Sequence, residues 1–356
     1  MCLLAPSEAV RSGRGRLPVG QARKAPHADQ RAQVEDDCVW VERELIPWQT
    51  SCALDESEFR SMFDTAGVLK DLATLRTRVY YGGLAAGVRR EGWKWLLGCY
   101  PAKSTRKDRE ALLVAKRQEY LAYKRQWQSI TPEQQARFAK FRDRRSRIEK
   151  DVVRTDRGIE MFADAAGPGL ERLHAILLTY SFYNFDLSYC QGMSDLAAPL
   201  LLVMEDEVEA FWCFQQLMQR VEANFHKDQN GMHRQLELLQ VLSAHFDPEL
   251  LAYLETKDCS NFYFCFRWLL ILYKREFAPQ ETMRLWEALW SSQDKLLHLF
   301  YALAILRQHK HKMMQEEMEF DEVLKFVNGL ALHIDCLQTL KDADNMSQMA
   351  RHYDMS

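Results

Sequence analysis

Apolar residues at helical spacing are the feature that most limits what this chain can fold into. They recur at intervals of three or four positions in two long series, Leu170, Leu173, Ile176, Leu177 and Tyr180, and Phe211, Phe214, Met218, Val221 and Phe225. Such spacing lines one face of a helix with apolar side chains. The alternating pattern of a β-strand is nearly absent from about Glu56 onward. We therefore predict an all-α fold of many helices joined by short loops.

Short polar segments indicate where some of these helices begin. Residues 131–134, Thr-Pro-Glu-Gln, place a cap, a first-turn proline and a third-position glutamine in order. Residues 247–249, Asp-Pro-Glu, repeat this arrangement. The apolar run at residues 262–277 predicts one buried helix with a charged end.

The chain of 356 residues is long enough for two domains, or for one large domain in two lobes. Residues 1–55 have no helical period and are rich in arginine, glycine and proline around residues 12–20, so we predict a weakly structured N-terminal segment. The helical signal occupies residues 56–340. Residues 341–356 are assigned to a C-terminal tail.

The composition argues against several classes of protein. The nine cysteines are scattered without a C-x-x-C pair, which favours reduced core residues of a cytoplasmic protein over a disulfide framework or a zinc site. Apolar runs such as residues 196–204 are about half as long as a membrane-spanning helix requires. The N-terminus does not resemble a signal peptide. We expect a cytoplasmic protein that reaches endosomal or other endomembranes only through partners.

Positive charge is concentrated in one block. Residues 101–157 contain seventeen Lys and Arg against eight Asp and Glu, a net charge of +9, so the remainder carries −12 of the total −3. Such a block can contact nucleic acid, phosphates or an acidic protein surface. Because acidic residues are interleaved throughout and no nucleic-acid reading motif is present, we expect no nucleic-acid partner.

An arginine within this block is the first candidate for chemistry. On a helix, Asp151 would precede Arg154 by one turn, and an i, i+3 pair would restrict the guanidinium's rotamers. Ile148 would lie on the apolar stripe of the same helix, and Gly158 would end or loosen it. Arginine stabilises charge on a phosphoryl group during transfer. The alternative is that Arg154 is one more solvated charge.

A glutamine 37 positions later is the second candidate. Gln191 lies between Tyr189 and Gly192, at the entrance to an apolar helix. Glutamine can orient the attacking water in GTP hydrolysis, and Gly192 would let another backbone approach closely. The alternative is structural: Ser188 would cap a helix beginning at Tyr189, and Gln191 would complete a capping box.

Motifs for an independent active site are absent from the sequence. It contains no H-E-x-x-H, no G-x-S-x-G and no G-x-x-x-x-G-K-[ST]. The arginine and glutamine therefore suggest a protein that completes the active site of another protein, with no cofactor of its own. Upstream, Arg89 and Trp93 belong to an amphipathic helix that ends at Gly98, with Trp93 in the core.

Together these motifs resemble the TBC domain of Rab GTPase-activating proteins. Three family motifs occur in order over about residues 58–335: R-x-x-x-W at Arg89 and Trp93, I-x-x-D-x-x-R at Ile148, Asp151 and Arg154, and Y-x-Q-G at Tyr189, Gln191 and Gly192. Within the family, the chain looks most like a subgroup linked to Rabs of late endosomes and lysosomes.

The resemblance implies an all-helical domain of two lobes, at about residues 56–245 and 246–340, with a groove between them. Arg154 would be an arginine finger and Gln191 a glutamine finger, both supplied in trans. Asp151 would position Arg154, while Tyr189 and Gly192 would shape the glutamine's loop. Arg89, Trp93 and Ile148 would be structural supports.

The predicted function is activation of a GTP-bound Rab in vesicle and endomembrane traffic. The chain would be an activator and not itself a hydrolase, because GTP and Mg²⁺ would belong to the partner GTPase. The alternative is a TBC scaffold or effector that binds a GTPase without activating it. One residue departs from the family pattern: Ser188 stands where glycine is usual, which should tighten the approach to Gln191.

Overall fold

The computed structural model describes residues 48, 49 and 51–350. Most of the predicted weakly structured N-terminal segment therefore lies outside the described residues. Over the described ranges the chain is helical without a strand, and only two isolated β-bridges occur, Leu54–Leu84 and Phe63–Leu69. The all-α prediction is confirmed.

Seventeen α-helices follow one another in the described part of the chain. Those before residue 226 are α1 (Glu56–Ser61), α2 (Leu72–Gly82), α3 (Ala86–Leu97), α4 (Arg106–Gln128), α5 (Pro132–Arg137), α6 (Ala139–Val152), α7 (Glu160–Ala163), α8 (Pro168–Tyr183), α9 (Met193–Met204) and α10 (Glu207–Val221). The rest are α11 (Asn230–Phe246), α12 (Pro248–Thr256), α13 (Phe266–Leu270), α14 (Pro279–Ser291), α15 (Leu297–Gln315), α16 (Phe320–Gly329) and α17 (Cys336–Met349). Short 3₁₀ helices occupy Glu222–Phe225 and Tyr263–Cys265.

Capping residues fix several of these bounds where the sequence predicts them. Thr131 and Gln134 form a capping box at the start of α5. The Asp247 carboxylate accepts a hydrogen bond from the Leu250 backbone N–H at the start of α12. Helix α3 ends at Gly98, whose φ of 85° is the left-handed conformation that glycine adopts readily.

The helices enclose two hydrophobic cores. The first is built mainly from residues 54–225, with a few later side chains from residues 271–290, and the second mainly from residue 232 onward. The chain passes from one core to the other before α11, whose buried face packs in the second core. The lobe boundary expected near residue 245 thus falls at the end of a helix that belongs to the second core.

The C-terminal helix α17 also differs from the expected layout. A domain end at residue 340 falls inside α17, where Leu340, Ala343 and Met346 are buried in the second core. Their spacing of three continues the apolar face beyond residue 340, which is why the helix extends to Met349. The Asp335 carboxylate caps its start by accepting from the Gln338 backbone N–H.

The prediction of one helix over residues 262–277 is wrong. Helix α13 ends at Leu270, and residues 271–276 form an irregular connection that we call the seam. Leu272 and Tyr273 have φ angles of 49° and 60°. Leu272 packs in the first core and Tyr273 in the second, so the apolar run contributes side chains to both cores.

Candidate functional site

Arg154 lies in a turn just beyond α6, not on the helix as expected, because α6 ends at Val152 and not near Gly158. The predicted pair with Asp151 is nevertheless formed: Arg154 Nη2 donates to Asp151 Oδ1 at 2.5 Å. The Arg154 side chain is 48% exposed, while that of Asp151 is 10% exposed. The guanidinium is therefore anchored at one edge and accessible at the other.

The Asp151 carboxylate joins the two candidate motifs. Its second oxygen, Oδ2, accepts a hydrogen bond from the Tyr189 hydroxyl at 2.5 Å. Burial and this contact with Asp151 raise the pKa of Tyr189 well above its ordinary value, so the phenol stays protonated and remains a donor at neutral pH. Ile148 is fully buried one turn earlier on α6 and fixes the helix against the first core.

Gln191 is exposed in the turn that precedes α9. The capping-box alternative is wrong, because α9 begins at Met193 with Gly192 as its N-cap and without a side-chain cap. Ser188 cannot start a helix here, since its φ is 63° and its N–H bonds back to Asn184 O at 2.8 Å. A left-handed residue at 188 also explains why glycine is the easier choice at this position.

Both the backbone conformation at residue 192 and the close packing around it favour glycine. Its φ is 102°, a conformation that L side chains rarely adopt. A Cβ atom at this position would lie 3.1 Å from Ile271 Cγ2. The loop that carries Gln191 therefore packs directly against the seam.

The R-x-x-x-W motif donates hydrogen bonds to a buried carboxylate, Glu287, that the sequence did not predict. Arg89 Nε and Trp93 Nε1 donate to Glu287 Oε1 at 2.6 and 3.0 Å. The Leu84 backbone N–H donates to Glu287 Oε2 at 2.9 Å, and the Glu287 side chain is fully buried. A spacing of four places both motif side chains on the face of α3 that packs against α14, so their role is to join these helices.

A cavity of about 550 Å³ opens beside Arg154. Its charged lining residues are Arg154, Asp156, Asp195, Lys274 and Arg275, and its apolar lining includes Pro199, Leu202 and Phe277. These residues come from the turn after α6, from α9, and from the seam and the segment leading into α14. Three of these charged side chains are cationic and two are anionic, and each cation pairs with an aspartate.

Lys274 and Arg275 are functional candidates that sequence reasoning missed. Arg275 makes a bidentate ion pair with Asp195, with Nε to Oδ1 and Nη2 to Oδ2 both at 2.8 Å. This hydrogen bonding raises the pKa of the Arg275 guanidinium above its ordinary value. Lys274 pairs with Asp156 in the turn that follows Arg154. The available signal was the charged end of residues 262–277, which the sequence predicts only as the end of a buried helix.

Two further observations apply to residues 48, 49 and 51–350. Within them, no group of three or more His, Cys, Asp or Glu side chains is arranged to hold a metal ion. Among the helices described there, none combines the length and the apolar character needed to cross a membrane.

Comparison with known proteins identifies the family. The model of the Rab-GTPase-TBC domain matches residues 86–314. TBC1 domain family member 17 of Mus musculus is 41% identical over 290 residues, covering 81% of this chain and 45% of the relative. GTPase-activating protein GYP7 of Yarrowia lipolytica is 39% identical over 313 residues, covering 81% and 43%. The chain thus spans less than half the length of these curated relatives.

Solved structures agree on the fold. The YPT/RAB-GAP domain of GYP1P superposes with a TM-score of 0.71 at 22% identity, covering 82% of this chain and 96% of that one. The Chlamydomonas flagellar RabGAP TBC domain gives 0.57 at 18% identity, covering 79% and 85%. At such identities the likeness establishes the fold alone. With the family match over residues 86–314, it follows that this chain belongs to the Rab-GTPase-TBC domain family.

Proposed function

We propose that this chain activates a Rab-family GTPase by supplying Arg154 and Gln191 to the partner's active site. The observation that carries the proposal is the shared Asp151 carboxylate, which accepts from Arg154 and from Tyr189 at 2.5 Å each. It links the turn that presents the arginine to the loop that presents the glutamine. Both presented side chains are exposed. The name of GYP7, a GTPase-activating protein, supports the same function.

The two side chains would have separate roles. Arg154 would offset negative charge on the equatorial and leaving oxygens of the γ-phosphoryl group, and Gln191 would orient the attacking water. An arginine finger typically accelerates hydrolysis by about 10³–10⁵. Because the sequence contains no phosphate-binding loop, GTP and Mg²⁺ would be held by the GTPase, and the chain would act in trans without being a hydrolase.

The remaining motif residues would prepare these side chains for docking. Asp151 would limit the rotamers of Arg154, which lowers the entropy lost when the finger enters the partner. Tyr189 and Gly192 would fix the course of the loop at Gln191. We further propose that the activity serves vesicle traffic on endomembranes, to which the bound GTPase brings the chain from the cytoplasm.

The test is single-turnover GTP hydrolysis by a panel of purified GTP-loaded Rabs. Arg154→Ala and Gln191→Ala should lower the stimulated rate by about 10³ or more while the protein stays folded. Arg147→Ala is a matched control, because Arg147 is an exposed arginine on α6 that also pairs locally with an aspartate, Asp143.

The outcomes separate the alternatives. Stimulation by Arg154→Ala at the wild-type level would contradict the finger mechanism. Binding of GTP-loaded Rabs without acceleration of any of them would instead establish a scaffold or effector. Acceleration lost in both finger variants and retained in Arg147→Ala would support the proposal.

A further inference from the structure

The seam touches both segments that carry the proposed fingers. Arg275 pairs with Asp195, three residues after the N-cap of α9 at Gly192. Lys274 pairs with Asp156, two residues after Arg154. Two consecutive cations therefore connect the turn of Arg154 and the loop of Gln191 to one short piece of backbone.

That backbone is held in place from both cores. Leu272 and Tyr273 are left-handed residues with side chains, and such conformations persist only where the surroundings fix them. Trp286 Nε1 on α14 donates to Leu272 O at 2.8 Å. The Tyr273 hydroxyl donates to His298 O on α15 at 2.5 Å. The seam is thus a rigid support for Lys274 and Arg275.

The two ion pairs are partly shielded from water, so each can hold its two segments together. The Asp195 side chain is only 5% exposed, and both members of the Lys274–Asp156 pair are largely buried. Electrostatic attraction is stronger where water is partly excluded. Asp156 itself has a φ of 50°, so its pairing with Lys274 also helps to hold the turn after Arg154 in a strained conformation.

We propose that Lys274 and Arg275 are positioning residues that fix the Arg154 turn and the Gln191 loop relative to each other. The inference rests on the proposed function of activating a GTPase. Its consequence is kinetic: a displacement of a reacting group by about 1 Å can cost about 10² in rate. Loosening either ion pair should therefore slow the stimulated step and leave docking of the GTPase unchanged.

Arg275 has a competing role, since its side chain is 45% exposed and faces the cavity. It could contact the GTPase directly, like a finger. Variants of Asp195 and Asp156 distinguish positioning from direct contact, because these carboxylates are largely buried and have little surface available to the GTPase. A positioning role predicts that removing the charge of Asp195 is as harmful as removing Arg275.

The experiment compares the variants Asp195→Asn, Arg275→Met and their double substitution, and likewise Asp156→Asn and Lys274→Met. Each asparagine preserves the shape of the aspartate and removes its charge, so these variants leave no unpaired carboxylate buried. Single-turnover hydrolysis is measured against activator concentration with a GTP-loaded Rab that the wild type stimulates. Hydrogen exchange of the unliganded proteins is measured in parallel.

Matched controls come from ion pairs in the first core, outside the lining of the cavity. Arg90 makes a comparable fork with Glu209, and its side chain is 42% exposed. Lys124 pairs with Glu207 in a similarly shielded setting. Arg90→Met and Lys124→Met report the general effect of losing an ion pair.

We expect the maximal rate to fall about tenfold or more in each seam variant, with the half-saturating concentration within about twofold of wild type. The Asp195–Arg275 double variant should be no worse than either single one. Amides at residues 153–158 and 187–192 should exchange faster than in the controls.

Three kinetic results would overturn the inference: wild-type maximal rates in the asparagine variants, a rise in half-saturation as the main effect, or additive losses in the double variant. The last two would indicate direct contact with the GTPase. A wild type that stimulates no Rab would refute the proposed function instead, while unchanged exchange at residues 153–158 and 187–192 would refute the positioning contact by itself.

Discussion

Asp151 offers the most informative single perturbation, because both of its carboxylate oxygens are used at the site. Oδ1 accepts from Arg154, which is half-exposed, and Oδ2 accepts from the buried Tyr189 hydroxyl. Hydrogen bonds to charged groups contribute about 1.5–3 kcal/mol when shielded. Solvent screening reduces the Arg154 bond to about 1 kcal/mol, since exposed ion pairs are weak.

The two bonds together therefore hold the site with about 2.5–4 kcal/mol. If that free energy serves to orient Arg154 and the loop after Tyr189, Asp151→Ala should lower the maximal stimulated rate by about 10²–10³. Asp151→Asn keeps two polar atoms in place and should cost only about fivefold, corresponding to the weakened Arg154 bond. Tyr189→Phe should fall between them, because it removes only the buried bond.

The assay is single-turnover GTP hydrolysis by a responsive Rab at saturating activator, with the folded fraction verified by thermal unfolding. Asp143→Ala is the control, because Asp143 also pairs with an arginine on α6 but has no second partner at the site. If folded Asp151→Ala retains the wild-type rate to within about threefold, Asp151 does not position the arginine, and the reasoning from shared hydrogen bonds is refuted.

Three other perturbations test the fold around the site. Glu287→Gln should lower the free energy of unfolding by about 3–5 kcal/mol in chemical denaturation, because it leaves the largely buried Arg89 without a charged partner. A loss no larger than that of the exposed control Glu91→Gln would contradict this. Gly192→Ala should cost about 1–3 kcal/mol through backbone strain and crowding of Ile271, and should slow stimulated hydrolysis; a wild-type melting temperature would argue against it. Burial lowers the pKa of His298 to about 4 from 6.5, so its neutral form stabilises the fold above pH 6.5, and this contribution is lost as the pH falls toward 4. The loss is at most about 3 kcal/mol, less for a ring that keeps some exposure, and His298→Gln should flatten the pH dependence of denaturation between these values.

Several helix bounds and side-chain contacts that depend on residues close together in the sequence were predicted correctly. The capping box at Thr131 and the terminal glycine at Gly98 set helix bounds that occur as expected. The i, i+3 contact between Asp151 and Arg154 was also predicted correctly. In these cases the interacting groups lie within one turn of each other in the sequence, so their spacing contains the needed information.

The features that the sequence did not predict have two causes. Some depend on contacts between residues distant in sequence, and others on non-glycine residues in the left-handed conformation. Glu287 lies almost 200 positions from Arg89, and no local pattern connects them. The seam reads as a helix because Leu272 and Tyr273 are apolar, yet tertiary packing in two cores holds them in left-handed conformations. The same effect explains why Gln191 lies in a turn and not in the helix of the capping-box alternative, since Ser188 is left-handed.

The first core has a consequence for fragments and splice variants. It is not closed by the residues that precede α11, because five side chains from the later part of the chain complete it: Ile271, Leu272, Met283, Trp286 and Trp290. A product truncated after α10 would retain all three sequence motifs and both fingers. It would nevertheless expose the apolar surface that these five side chains cover, and we expect it to misfold or aggregate. A transcript that encodes every motif is therefore insufficient grounds for expecting a working activator.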